Sequence, residues 1–257
     1  VLVLMVVLVI FGPLLCGWEY DYMQPTLKNL PPSAEHWFGT DMLGRDIFAR
    51  VCVGGRVSLL IALVCTCVQV VVGCAYGGIM AYFGGWVDNI MMRVIEVMMS
   101  IPYLLVVIIV MMVLDNSVPS LLVALCVTSW CNTARAMRGV ILQLKSSEYV
   151  MAAQSLGAPA RRVILKHLIP NTIGILILNT ATSIPNYIFQ ESTLGFLGIG
   201  LQPPNTSLGV MISLGQAAME FYPLQLIFPA AALVLIVLAF NLLGDGLRDA
   251  LDPKLRK

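Results

Sequence analysis

Charge is what this sequence has least of. Asp, Glu, Lys and Arg make up 11% of its 257 residues, against about 25% in soluble domains. Hydrophobic residues make up 59%, and the mean hydropathy is +0.89. That balance points to lipid as the main solvent. The net charge of +1 gives no case for nucleic acid or acidic partners. The seven cysteines are odd in number and never spaced Cys-x-x-Cys, which argues against a disulfide framework or a thiolate metal site. Cys65, Cys67 and Cys74 stand in an apolar stretch, where cysteine behaves as a small hydrophobe. No Gly-x-x-x-x-Gly-Lys-Ser/Thr phosphate loop occurs, so this sequence offers no nucleotide-binding loop of that kind. Only two histidines are present, His36 in an expected wet loop and His167 beside basic residues, and neither suggests a metal ligand.

The few charges are bunched, and six uncharged stretches run between them. These are Val1–Trp18, Val57–Val87, Val97–Leu114, Asn116–Ala134, Leu168–Gln190 and Phe221–Gly244, of 18, 31, 18, 19, 23 and 24 residues. A spanning helix needs about 20 mostly apolar residues, so six spans are expected. Helices are preferred to a barrel because unpaired backbone groups are costly in hydrocarbon, and barrel strands would be short and alternating. A seventh uncharged run, Ser192–Met219, holds five glycines and Pro203-Pro204 and reads as a loop or re-entrant segment. The first run begins at Val1 without a preceding basic residue, so the chain is expected to start inside its first helix. A secretory signal peptide, the rival reading, would need a basic leader and a small-residue cleavage site.

The expected class is an all-α membrane protein. Residues 1–18 form the first transmembrane helix and 19–56 an extracytoplasmic loop. Residues 57–257 form a core of five more helices with a cytoplasmic loop at 135–167. Orientation follows from the basic residues. With loops taken alternately, one side receives eleven of them (Arg93, Arg135, Arg138, Lys145, Arg161, Arg162, Lys166, Arg248, Lys254, Arg256 and Lys257) and the other four (Lys28, Arg45, Arg50 and Arg56). The richer side is expected to be cytoplasmic, and both termini with it. Arg93 and Glu96 can pair at the cytoplasmic end of the third span, and Pro102 is expected to kink that span. Gly39, Gly44 and Asp41 are expected to shape a turn in the outer loop.

Within the cytoplasmic loop, Ser146-Ser147 can cap a short helix, with Glu148 in its first turn. Ala152 and Ala153 lie at its centre. Gly157 falls just past the helix end, where positive φ is needed, and Pro159 can open the next helix. By local pattern alone this is either an ordinary helical connector or a surface helix whose alanine face lets another backbone approach.

These residues resemble a known family. Glu148-Tyr149-Val150-Met151-Ala152-Ala153, then Gly157 and Leu168-Ile169-Pro170, resembles the EAA loop of binding-protein-dependent ABC importer permeases, with Met151 where that motif has Glu and His167 at an apolar position. Three further blocks are similar to the C-type subunit of dipeptide, oligopeptide and nickel permeases: His36 to Asp46, Leu194 to Pro204 (with Gly195 in place of Ser), and Leu243 to Pro253. Together they cover about residues 30–255.

The resemblance implies a type I importer permease fold with six spans and a cytoplasmic coupling helix. It implies a second permease subunit of B-type, two ATPase subunits that use ATP and Mg, and an extracytoplasmic substrate-binding protein. This chain itself would bind no cofactor, and would sit in the cytoplasmic (inner) membrane of a bacterium or archaeon. Glu148, Tyr149, Ala152, Ala153 and Gly157 would couple to the ATPase. Oligopeptides or dipeptides are the expected solutes, with nickel, glutathione or another small solute as alternatives.

The fifth span is the best candidate for a solute path, since it holds Asn179, Thr180, Thr182, Ser183, Asn186 and Gln190. Asn179, Ser183, Asn186 and Gln190 follow at steps of four, three and four and share one helix face. They read either as a solute path or as polar glue between helices. The second span offers little beyond Thr66 and Gln69. An ion-coupled secondary transporter would place carboxylates or other ionisable groups in its spans, whereas the expected spans here are free of charge. No His/Asp/Ser constellation supports a membrane enzyme.

Overall fold

A computed structural model describes residues 2–202 and 205–251. Among these residues the architecture is helical, and the only β-pairing is an isolated bridge between Thr40 and Asp46. In order the helices are α1 (Leu2–Cys16), α2 (Ile47–Phe83), α3 (Gly85–Ser100), α4 (Tyr103–Val113), α5 (Val118–Lys145), α6 (Glu148–Ser155), α7 (Ala160–Arg162), α8 (Ile169–Asn171), α9 (Ile173–Phe196), α10 (Leu208–Ala218) and α11 (Leu224–Leu251). A π-helical stretch, Val163–Leu168, joins α7 to α8.

Among the described residues, two helices are long and apolar enough to cross a membrane by themselves, Ile47–Phe83 and Leu224–Ala250. A third span exists if α3 and α4, bent by 81° at their break, count as one. Pro102 explains that break. It has no N–H to donate, and its ring drives the preceding residue out of the helical region; Ile101 is accordingly extended, at φ −87° and ψ 124°. The expected kink is a sharp corner.

The boundary expected at residue 56 is corrected. α2 starts at Ile47, because the Asp46 carboxylate caps it by accepting from Ala49 N–H at 2.7 Å. Arg50 and Arg56 therefore belong to the helix. Arg56 has a specific partner: Pro13, inside α1, lacks the N–H that would bond Val9 C=O, and Arg56 Nε donates to that carbonyl at 2.8 Å. Its Nη2 also reaches Ile10 C=O.

Helices α2 and α5 pack most closely, through a Gly73-x-x-x-Gly77 face. A Cβ at Gly77 would stand 2.3 Å from Ala134 O, and one at Gly73 would stand 2.7 Å from Thr133 Cβ. Small residues that let backbones approach are how helices associate without a hydrophobic driving force. A core of Ile61, Ala62, Cys65, Leu121, Ile188, Leu208 and Ile236 joins α2, α5, α9, α10 and α11. A second cluster sits at the α6 end of the bundle.

The Ser192–Met219 segment is more helical than a loop. α9 continues to Phe196, and the 11-residue α10 follows with Ser207 as its cap, accepting from Val210 N–H at 3.3 Å. At about 1.5 Å per residue α10 is too short to cross a bilayer. Asp115, in the turn between α4 and α5, accepts from Ser117 Oγ at 2.5 Å and from Ser120 Oγ. Those hydroxyls hold its carboxyl below the usual carboxylate range.

Candidate coupling and translocation sites

Helix α6 is anchored on one side and bare on the other. Val150 is fully buried in the cluster with Met137, Ile141, Val163, Ile164 and Leu168. Glu148, Tyr149, Met151, Ala152 and Gly157 are exposed, Ala153 is half-buried, and Leu156 is 87% exposed. Tyr149, Ala152 and Leu156 follow at steps of three and four, so an apolar stripe faces away from the bundle. Its end matches the expected stop. Gly157 has φ +76°, Leu156 N–H reaches Ala152 O at 3.0 Å and Ala158 N–H reaches Ala153 O at 3.1 Å. The start differs in detail. Ser147 holds the first turn through its carbonyl, which accepts from Val150 and Met151 N–H, while its hydroxyl turns back to Leu144 O at 2.5 Å.

Charged pairs brace this end. Arg138 on α5 grips Asp88 on α3 with two bonds of 2.5 Å. Lys145 Nζ donates to Tyr82 O at 2.6 Å, satisfying a terminal carbonyl of α2. Arg93 and Glu96 do pair, at 2.6 Å, on the surface.

At mid-bundle lies a buried polar knot. Gln69 Nε2 donates to Thr133 Oγ1 at 2.8 Å and to Ser183 Oγ at 3.0 Å, while Tyr187 O–H donates to Gln69 Oε1 at 2.6 Å. It ties α2, α5 and α9 together. Beside it opens a recess of about 250 Å³, lined by residues that include Tyr103, Thr128, Ser129, Asn132, Tyr187 and Gln190. The four polar residues expected on α9 are thus divided. Ser183 is spent in the knot, Gln190 lines the recess, Asn186 is exposed and Asn179 is half-buried.

Gln69, Thr133 and Tyr187 were missed as a unit because they come from three distant parts of the chain. A local signal was available for Thr128 and Asn132, which stand four apart on one face of α5 beside Ser129 and Thr133.

The opposite end is sealed by buried polar groups. His36 is not in a wet loop; it is 3% exposed, and its Nδ1 stands 2.9 Å from Asp46 Oδ2. Asp41 pairs with Arg45 at 2.7 Å and shapes the turn at Leu43, with Gly39 and Gly44 at positive φ. Gln225 on α11 donates to Asn29 Oδ1 and Thr40 O, and Arg50 donates to Thr206. Glu191, at the end of α9, is fully buried and accepts from Ser58 on α2 at 2.6 Å.

Residues 73–257 match the family described as the binding-protein-dependent transport system inner membrane component. The chain belongs to that family. It is an inner-membrane transport subunit, and not an enzyme. It is 43% identical, over 259 residues, to the oligopeptide transport system permease protein OppC of Bacillus subtilis, covering 100% of this chain and 84% of the relative. It is 45% identical to the dipeptide transport system permease protein DppC of the same organism, covering 100% and 81%. A solved chain of the MetNI methionine ABC transporter, in inward-facing conformations, superimposes with a TM-score of 0.64 at 15% identity, covering 77% of this chain and 94% of that one. An amino acid ABC transporter crystallised with histidines gives 0.56 at 15% identity, covering 78% and 93%. The likeness extends the family assignment to the fold, which is that of type I ABC importer permeases.

Proposed function

We propose that this chain forms half of the translocation path of an ATP-driven importer of oligopeptides or dipeptides. It would pair with a second permease of B-type, be driven by two ATPase subunits that use ATP and Mg, and receive solute from an extracytoplasmic binding protein. The names of the relatives support the solute class. The single observation that carries the mechanism is the posture of α6, rooted in the bundle by Val150 with an apolar stripe left bare.

In this reading six spans cross the bilayer: α1, α2, the α3–α4 pair, α5, α9 and α11. The α6 end faces the cytoplasm, as do both termini, and the 19–46 segment lies outside. Glu148, Tyr149, Ala152, Ala153 and Gly157 form the coupling surface. Closure of the ATPases moves α6, and the motion passes through α7, the π-helical stretch and α8 into α9. Asn179, Asn186 and Gln190 face the path, with Ser183 supporting it from the knot.

Reconstitution tests the proposal. Vesicles holding the full complex, with binding protein outside and ATP inside, are expected to accumulate labelled peptide only while ATP is hydrolysed. Uptake without ATPase subunits would sink the importer mechanism. Uptake of nickel or glutathione in place of any peptide would sink the solute class.

A further inference from the structure

The recess between α4, α5 and α9 has a consistent chemistry. Its polar lining comes from Tyr103, Thr128, Ser129, Asn132, Tyr187 and Gln190, and no charged side chain is among its lining residues. Asn132 is exposed, and Thr128 and Gln190 are half-buried, while the Ser129 hydroxyl already donates to Cys126 O at 3.2 Å. Polar side chains at membrane depth are costly unless they meet partners or water. The back wall is already fixed, because the Tyr187 hydroxyl is committed to Gln69, and Gln69 in turn to Thr133 and Ser183. A wall held in this way keeps its shape while the open amides and hydroxyls exchange partners.

Resting on the importer reading above, we infer that this recess is the solute-contacting site of the subunit, and that it takes the uncharged amide groups of an extended peptide backbone without reading side-chain charge. The carboxamides of Asn132 and Gln190 each offer donors and an acceptor, as does a peptide unit. A charged solute group would find no counter-charge here. About 250 Å³ is below the roughly 300–1,000 Å³ that encloses a drug-sized ligand, so the recess holds a short segment and leaves the rest of a peptide to the other half of the path. Gln69 acts as a positioning residue through Tyr187.

The test uses the complete complex in vesicles, with binding protein saturated by one of two tripeptides that differ only in a central Lys or Glu. Wild-type uptake of the two is expected to agree within about twofold, since no lining charge distinguishes them. Asn132→Asp and Gln190→Glu each place a carboxylate in the recess and are expected to shift the ratio toward the Lys peptide by about tenfold. Robust uptake with an unmoved ratio in both variants would overturn the inference and leave the importer reading standing. If the wild-type complex takes up neither peptide, the importer reading falls first. Should both variants fail to assemble, the readout is thiol labelling of Asn132→Cys with the native cysteines replaced. Labelling that slows when peptide-loaded binding protein and ATP are added supports the site; labelling indifferent to peptide overturns it.

Discussion

The Tyr187 hydroxyl donates to the side-chain carbonyl of Gln69 across 2.6 Å, joining α9 to α2 inside the bundle. Removing either partner strands a buried polar atom. Tyr187→Phe leaves Gln69 Oε1 without its donor, and a loss of about 0.6–1.7 kcal/mol is expected, the range for hydrogen bonds between membrane helices. Gln69→Leu unpairs Thr133, Ser183 and Tyr187 together and is expected to cost more. Thermal melting of the purified complex measures both, and a Gln69→Leu protein as stable as wild type would contradict the knot.

Gly77 is expected to tolerate no side chain. A Cβ there meets Ala134 O at 2.3 Å, a backbone atom that moves only if α5 moves. Gly77→Val should abolish assembly with the partner subunits. Gly139→Ala, on the same α5 but facing open space, should be neutral or stabilise by up to about 1 kcal/mol. Yield of intact complex on size exclusion separates the two.

Gly157 carries its strain in the backbone alone, since nothing lies within 4 Å of a Cβ placed there. At φ +76° a β-branched residue costs about 1–2 kcal/mol, while Asn enters this region readily. Gly157→Val is expected to lower transport per ATP hydrolysed, and Gly157→Asn to stay near wild type. Equal ratios in the two variants would count against a role for this helix end in coupling.

The Arg138–Asp88 pair is expected to respond to charge reversal. Asp88→Arg places two cations side by side between α3 and α5, and Arg138→Asp two anions. Either alone should destabilise the bundle, and the double exchange should recover part of the loss. A coupling energy of about 0.5–3 kcal/mol is the range for groups in contact. Additive losses in the double-mutant cycle would show that the pair contributes nothing.

Acid is expected to weaken the turn between α4 and α5. The Asp115 carboxyl is lowered by the hydroxyls of Ser117 and Ser120, so its contribution is complete above the ordinary carboxylate value of about 3.9. It is lost as pH falls through the lowered one. The difference in melting temperature between wild type and Asp115→Ala should therefore shrink to zero on acidification. A difference that grows in acid would refute the assignment.

Much of this was legible before folding. Gly157 and Pro159 act on their own φ angles, and Pro102 on its neighbour's, so the end of α6 and the corner between α3 and α4 follow from local chain chemistry. The size of that corner does not, because packing sets it once the hydrogen bond is gone. Arg56 and His36 were misplaced for one shared reason. A charged or polar side chain looks solvent-bound until a partner far along the chain appears, here the Val9 carbonyl and the Asp46 carboxylate.

By itself the sequence determined the solvent, the helical class, the family and the end of helix α6, all of which depend on composition or on runs of neighbouring residues. Only the tertiary structure decided which polar residues are structural and which are open. Ser183 and Gln190 sit on the same helix face seven residues apart, yet one is locked to Gln69 and the other lines the recess. What separates them is the identity of the helix packed opposite, and no local pattern carries that.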